Sequence, residues 1–330
     1  MTSAAQRHHV RPRLYLAVEY EGLVGYGEVS PQPTTINADP GVDLVLHELV
    51  DVVVPRLVDI VAREGVLPEW SRATALVSGR ESAHFAASVV EMALLDHELR
   101  RRGDDLSSLW PTRWETPSQA TVSLLDDDEW VIGDVSRVRV KSSPGALTAH
   151  ALERLARLGV PILLDFNCSA TAEEAIDQVS RIRDVAVLDA LEQPFAPGNL
   201  ADAALLARDL EVDLSIDEGL RSYQDLVQIE RYGAAAMLCV KPARLGGFAA
   251  ARSVIARAQE MGLRVYLGGF FESDFARNVN RTFARAFVSE PSDIAPVALV
   301  SGASATPCDG LGWRPTRAIL ASAHLVGCFE

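Results

Sequence analysis

Apolar positions between residues 137 and 242 fall into short runs at 138–141, 162–167, 188–194, 212–218 and 237–242, each reaching a charge at or near its end. The charges Lys141, Asp165, Glu192, Asp217 and Lys241 follow one another at intervals of 24, 27, 25 and 24 positions. Between the runs the apolar spacing becomes helical. A strand, a helix and two short loops take about 25 residues, so this rhythm predicts consecutive βα units. Strands separated by helices pair in parallel, and a closed ring of them is a (β/α) barrel whose strand C-termini meet at one mouth. The five charges are therefore predicted to stand side by side around that mouth.

Ahead of the barrel the pattern changes. Residues 13–20 alternate as a strand does, Glu21-Gly22 makes a turn, and 24–29 returns as the second arm of an antiparallel hairpin. Helical spacing then predicts helices over 42–61, 70–77 and 82–102, the last closed by Gly103. Hairpin and helices make a small α+β domain over residues 1–112, opening on a polar loop that carries Arg7-His8-His9. The barrel is assigned to 113–310, with a first strand at 120–124, a capping box at Thr171-Ala172-Glu173-Glu174, amphipathic helices at 222–232 and 248–261, a strand at 264–269 and a further apolar run at 297–300. Residues 311–330 are expected to pack back on the first domain.

Charge and cysteine usage narrow the function. A net charge of −14 argues against a nucleic-acid partner, because phosphate binding wants a basic face. Cys168, Cys239, Cys308 and Cys328 form no C-x-x-C pair, so they are read as reduced thiols of a cytoplasmic protein. The most apolar helical stretch, 42–61, contains Asp43, Glu48, Asp51, Pro55, Arg56 and Asp59 and cannot span a bilayer. Neither nucleic acid nor membrane is expected as a partner, and a homo-oligomer is expected.

One strand-end carboxylate is usually a solvated loop residue, but three in register are another matter. Like charges held that close stay ionised only beside a cation. Oxygen donors without His or Cys select a hard ion, so Asp165, Glu192 and Asp217 are the predicted ligands of Mg²⁺, with Mn²⁺ able to substitute. Asn167 and Glu218 are predicted to orient those ligands or pair with a lysine. Lysines at the same phase, Lys141 and Lys241, are expected to have depressed pKa values and to act as bases toward a small carboxylate substrate. Removing a proton α to a carboxylate makes an enediolate, whose charge a metal can stabilise. A glycosidase barrel would also want paired carboxylates but not the lysines. A barrel that has lost catalysis is the other alternative.

The ordered set Arg139-x-Lys141, Asp165-x-Asn167, Glu192-Gln193-Pro194, Asp217-Glu218 and Lys241-Pro242 resembles the enolase superfamily, in its muconate-lactonizing-enzyme subgroup. Gly25-Tyr26-Gly27-Glu28 with Pro31, and Glu91-Met92-Ala93-Leu94-Leu95-Asp96, resemble that family's capping domain. The resemblance implies a modified TIM barrel, (β/α)7β, with an N-terminal α+β capping domain whose loops select substrate. Lys241-Pro242-Ala243-Arg244-Leu245-Gly246-Gly247 and Gly268-Gly269-Phe270-Phe271-Glu272-Ser273 resemble o-succinylbenzoate synthases and N-succinylamino acid racemases. Gly269, Phe270, Phe271 and Glu272 are thereby expected to line the substrate pocket. Dipeptide epimerases of the subgroup tend to carry an Asp-x-Asp pair where this chain has only Asp293, and muconate-type cycloisomerases remain a further alternative. Arg139 stands where the family usually has a lysine, which keeps the charge but not the shape. Relative to the family the chain starts late, so the first strand is expected to be missing or to lie upstream.

Overall fold

The computed structural model describes residues 11–294 except 78, 114, 116, 127 and 128, together with the backbone of two short paired strands farther on. The expectations placed on residues 1–10 and on 297–300, and the packing expected of 311–330, lie outside the described residues. Strands β1 (Leu14–Tyr20) and β2 (Leu23–Val29) pair antiparallel, with Tyr20 opposite Leu23. The two residues between them, Glu21 and Gly22, both take positive φ, which matches the turn to the twist of the arms. The single helix expected over 42–61 is instead α1 (Val42–Glu48), a π-helical turn at Leu49–Val53, and α2 (Val54–Glu64). Pro55 explains the break: it offers no N–H, and its ring crowds the carbonyl of Asp51, so the backbone widens there. Residues Trp70–Val77 form a 3₁₀ helix, α3 spans His84–Arg102 and α4 Leu106–Leu109. Gly103, at φ 67°, ends α3 as its sequence predicts.

Almost all of α3 is buried, because the hairpin covers one side and the barrel the other. Close approach on the hairpin side depends on Gly27, where an added Cβ would come within 2.1 Å of the Val89 carbonyl oxygen.

The barrel follows as β3 (Gln119–Ser123), β4 (Arg137–Lys141), α5 (Ala149–Ala156), β5 (Ile162–Asp165), α6 (Ala172–Arg183), β6 (Leu188–Glu192), α7 (Leu200–Asp209), β7 (Leu214–Ile216), α8 (Tyr223–Tyr232), β8 (Met237–Val240), α9 (Pro242–Leu245), α10 (Phe248–Glu260), β9 (Arg264–Leu267) and α11 (Asp274–Phe287). The seven strands pair in parallel in chain order. Ser292 bridges Ser118 and Asp293 bridges Gly268, so a two-residue segment joins the first strand to the last and closes the ring. The expected capping box starts α6, with Thr171 and Glu174 each bonding the other's backbone N–H. Between β3 and β4 a loop replaces the usual helix. Two short strands, β10 (Thr306–Pro307) and β11 (Trp313–Arg314), pair antiparallel beyond the barrel. Among the described residues no helix is long and apolar enough to cross a membrane.

Alternation along the strands sorts the side chains. Val138, Val140, Ile162, Leu164 and Leu191 pack outward in one buried cluster, while Leu163, Ala190, Met237, Cys239 and Tyr266 form a small cluster of their own inside the ring. That inner layer is the floor on which the charged residues rest.

Candidate active site

Register sets the site. Lys141 pairs with Asp165 and Asp165 with Glu192 across β4, β5 and β6, while Asp217 and Lys241 follow directly on β7 and β8. The five predicted charges thus meet at one mouth, and Asp165, Glu192 and Asp217 are each 0% exposed.

Their neutralisation is unequal. Arg139, also turned inward on β4, places Nη2 2.9 Å from Asp165 Oδ2 and 3.0 Å from Asp217 Oδ2, and the same nitrogen donates to Glu192 Oε1. Glu192 also accepts from the Tyr266 hydroxyl. Burial nonetheless outweighs Arg139 and pushes the Glu192 carboxyl up to about 8, with Asp165 and Asp217 adding to the shift. Asp217 goes the other way. Burial disfavours its charge, but Lys241 Nζ at 2.7 Å, Arg244 Nη1 at 2.6 Å and Arg139 hold it well below the usual carboxylate range.

The two lysines were expected to behave alike, and they do not. Burial, reinforced by Arg139, lowers Lys141, which forms no ion pair among the described residues. Burial also opposes the charge on Lys241, but Asp217 more than compensates and its pKa is raised. Lys241 sits 4.9 Å from the Phe270 ring centroid. Gly268 leaves room for it: a Cβ there would lie 2.8 Å from Lys241 Cε and 2.6 Å from Cys239 Sγ.

A cavity of about 420 Å³ opens above these groups, and Lys141, Lys241 and Arg139 all border it. Gly269, Phe270, Phe271 and Glu272 line it as expected. Glu272 is tied into its own loop, since Oε1 accepts from Phe270 N at 2.9 Å and Asn280 Nδ2 at 3.2 Å. Asn167 and Glu218 also meet there, with Asn167 Nδ2 donating to Glu218 Oε1 at 3.0 Å. Burial pushes Glu218 up to about 7, helped by Asp217 and Asp165. The capping domain supplies Arg11, Gln32, Asn37 and Asp39 to the wall.

Comparison with known proteins places the barrel in a family. Residues 137–295 match the family described as Enolase C-terminal domain-like. The barrel belongs to the enolase superfamily. An o-succinylbenzoate synthase from Enterococcus faecalis (strain ATCC 700802 / V583) is 27% identical over 299 residues, covering 86% of this chain and 78% of that protein. An N-succinylamino acid racemase from Amycolatopsis sp is 26% identical over 286 residues, covering 83% and 76%. Among solved structures, a probable mandelate racemase from Alicyclobacillus acidocaldarius has the same fold, with a TM-score of 0.76 at 24% identity over 90% of this chain and 81% of that one.

Enolase-superfamily members generally use Mg²⁺. The donor chemistry here fits a divalent cation: three fully buried carboxylates converge, and Asp165 Oδ2 accepts no hydrogen bond. Glu192 and Asp217 form the tightest group, their oxygens and Cys239 Sγ lying within 4.8 Å of one another, while Asp165 joins them through Arg139. Cys239 was not anticipated, although it precedes Lys241 by two positions and alternation puts it on the same face. Nor were Arg244 and Asp39. Arg244 bonds Asp39 through Nε and Nη2, both at 2.8 Å, and reaches Asp217 with Nη1, which couples the capping domain to the carboxylates. Asp39 lies in an irregular segment whose pattern carries no signal of that role.

Proposed function

We propose that this enolase-superfamily protein abstracts a proton α to the carboxylate of a small substrate held between Lys141 and Lys241, in a reaction of the o-succinylbenzoate synthase or N-succinylamino acid racemase type. The observation that carries the reading is the pair of buried lysines at the ends of two strands, one forming no ion pair among the described residues, above three buried carboxylates. Lys141 is the base, because burial and Arg139 favour its neutral amine and no partner holds its proton. Lys241, fixed by Asp217, presents a positive charge to the enediolate as it forms. This asymmetry supports a one-base dehydration, in which Lys141 takes the proton and returns it to the departing hydroxide. A two-base racemisation would use the same pair, with Lys241 donating a proton to the opposite face. A divalent ion held by Asp165, Glu192 and Asp217, Mg²⁺ or Mn²⁺, supplies Lewis-acid stabilisation of the substrate carboxylate.

Asp293 does not favour a dipeptide substrate. Its carboxylate accepts from Arg139 Nη1 at 3.1 Å and Thr121 Oγ1 at 2.7 Å, so it is already engaged and poorly placed to receive an ammonium group. A muconate-type cycloisomerase or another carboxylate substrate is the alternative, and would use the same lysines.

Incubation in D₂O with Mg²⁺ and a panel of N-acyl amino acids, dipeptides, cycloisomerase substrates and the menaquinone precursor tests the proposal. Substrate α-proton exchange or turnover is expected, with a loss of about 10²–10⁴-fold in Lys141→Ala. Lys241→Ala should slow dehydration, or restrict exchange to one enantiomer if the enzyme is a racemase. Unchanged rates in Lys141→Ala would overturn the assignment of the base.

A further inference from the structure

The centre of the carboxylate group is held by a side chain of this protein. One nitrogen, Arg139 Nη2, has an oxygen from each of Asp165, Glu192 and Asp217 within hydrogen-bonding range. That is how anionic oxygens surround a bound cation, yet the fit is poor. Nη2 carries two hydrogens and faces three carboxylates, so one of them must go short. Asp165 Oδ2 is the one: it lies 2.9 Å away but makes no hydrogen bond. Arg139 Nε, buried as well, has no partner either. A planar fork matched to one carboxylate is being asked to serve three. A spherical ion would serve them better.

The guanidinium also has somewhere to go. Its other terminal nitrogen, Nη1, already donates to Asp293 Oδ2 at 3.1 Å. Asp293 belongs to the two-residue segment that closes the barrel, is partly exposed, and is anchored through Oδ1 by Thr121. Withdrawal from the carboxylates toward Asp293 therefore exchanges an over-committed position for a carboxylate that Arg139 already touches.

We infer that Arg139 is a resident, displaceable cation: it holds the three carboxylates together in the metal-free protein and retreats toward Asp293 when a divalent ion enters. This rests on the proposal that these carboxylates take such an ion. The consequence is a protein that folds around its site without metal and binds metal less tightly than the same carboxylates would unaided. A cation beside the site competes with the incoming ion, and removing one unit charge a few ångströms away should tighten binding by at least about tenfold. Asp293 should act in the opposite sense, since without it the guanidinium has no alternative partner.

The experiment is a Mn²⁺ titration of the full-length protein, read from the electron paramagnetic resonance signal of free Mn²⁺ and, in parallel, from the metal-induced shift in Tm. Arg139→Gln is expected to bind Mn²⁺ at least about tenfold more tightly than wild type and to gain more in Tm, from a lower metal-free value. Arg139→Lys keeps a charge without the fork, guards against a Gln variant that fails to fold, and should fall between the two. Asp293→Asn should weaken Mn²⁺ binding in the wild-type background and have no effect in Arg139→Gln, a coupling that general destabilisation would not produce. If neither Arg139 variant binds more tightly while Glu192→Gln abolishes binding, the resident-cation inference is wrong and the metal site stands. If wild type binds no Mn²⁺, or Glu192→Gln binds as wild type does, the metal reading itself fails and takes the inference with it.

Discussion

Arg137 and Arg139 stand two residues apart on β4, both turned into the barrel, both 2% exposed and both facing carboxylates. The lower one is fully committed. Arg137 donates from Nε to Gln119 Oε1 at 2.8 Å, from Nη1 to Asp189 Oδ2 at 2.9 Å and from Nη2 to the Pro291 carbonyl at 2.8 Å, and its guanidinium lies 5.1 Å from the Tyr266 ring centroid. The acids it meets, Asp189 and Glu290, are about one-fifth exposed, so water can complete their shells. One layer up, Arg139 leaves its Nε unbonded and divides one nitrogen among three acids that water cannot reach. Two neighbouring arginines thus mark two regimes. At the floor the guanidinium is fully matched, although Nε2 of its neighbour Gln119 is not. At the mouth polar groups are under-matched and open onto a cavity, where ligands change the outcome.

Substituting both arginines in the same way sharpens that contrast. Arg137→Met should destabilise the fold by about 3 kcal/mol, the low end for breaking a buried ion pair, because Asp189 keeps Arg264 at 2.9 Å. Catalysis per folded molecule should survive. Arg139→Met should cost more than that in metal-free buffer, where it removes the ion pairs of Asp165 and Glu192 and leaves Asp217 to Lys241 and Arg244, and less in saturating Mg²⁺. Urea unfolding of both variants with and without the ion measures the difference. Equal costs in both buffers for both variants would erase the distinction between floor and mouth.

Much of this was legible in the chain. The near-25-residue interval between terminal charges reports strand–helix length, and parallel register turns equal phase into equal height, so Lys141, Asp165, Glu192, Asp217 and Lys241 could be placed before any coordinates. The Gly103 cap and the Thr171 capping box are local chemistry and read directly. What escaped depends on meetings between distant segments. Alternation says that Arg139 points inward but not that its fork spans three acids. The opposite pKa shifts of Lys141 and Lys241 arise because Asp217 lies against one lysine and forms no ion pair with the other. Among the described residues the ring is closed by Ser292 and Asp293, too short a pattern to register as a strand.

A third buried charge extends the comparison to the junction between the capping domain and the barrel. Among the described residues Glu91 on α3 accepts from backbone alone, the N–H groups of Phe248 and Ala249 at the start of α10. Burial pushes its carboxyl from 4.5 up to about 8, while those two donors pull against the shift. The folded state therefore keeps a proton that the unfolded chain releases above about pH 4.5, and stability should fall as pH rises toward 8. The slope from this group is at most about 1.4 kcal/mol per pH unit. Glu192 and Glu218, also pushed up by burial, add slopes of their own, so urea unfolding between pH 5 and pH 9 should show a fall in stability in wild type that is shallower in Glu91→Gln. The same slope in both proteins would mean that Glu91 is ionised throughout, held by α10 alone.

The smallest effect belongs to the rim. Trp130 lies in the loop that replaces a helix between β3 and β4, and the same loop lends Val131, 86% exposed, and Ile132 to the cavity wall. Its indole N–H donates to the Ser123 carbonyl at 3.2 Å, and its ring lies 3.7 Å from the Arg154 guanidinium carbon. Those two contacts help attach the loop to the strand below and the helix beside it, together with the bond from Arg154 Nη1 to the Asp126 carbonyl at 2.6 Å and the packing of Ile132 and Val135. Trp130→Leu gives up a partly exposed cation–π contact worth about 0.5–1 kcal/mol and a hydrogen bond of similar value. Global stability should change by no more than about 1 kcal/mol, because the loop can loosen without opening the barrel. KM should rise a few-fold as the wall loses definition, with kcat and Mn²⁺ affinity nearly unchanged, since neither the lysines nor the carboxylates move. Steady-state kinetics beside the Mn²⁺ titration separates these readouts. A stability loss as large as that of Arg137→Met would place Trp130 with the floor, and an unchanged KM would remove this loop from the substrate's surroundings.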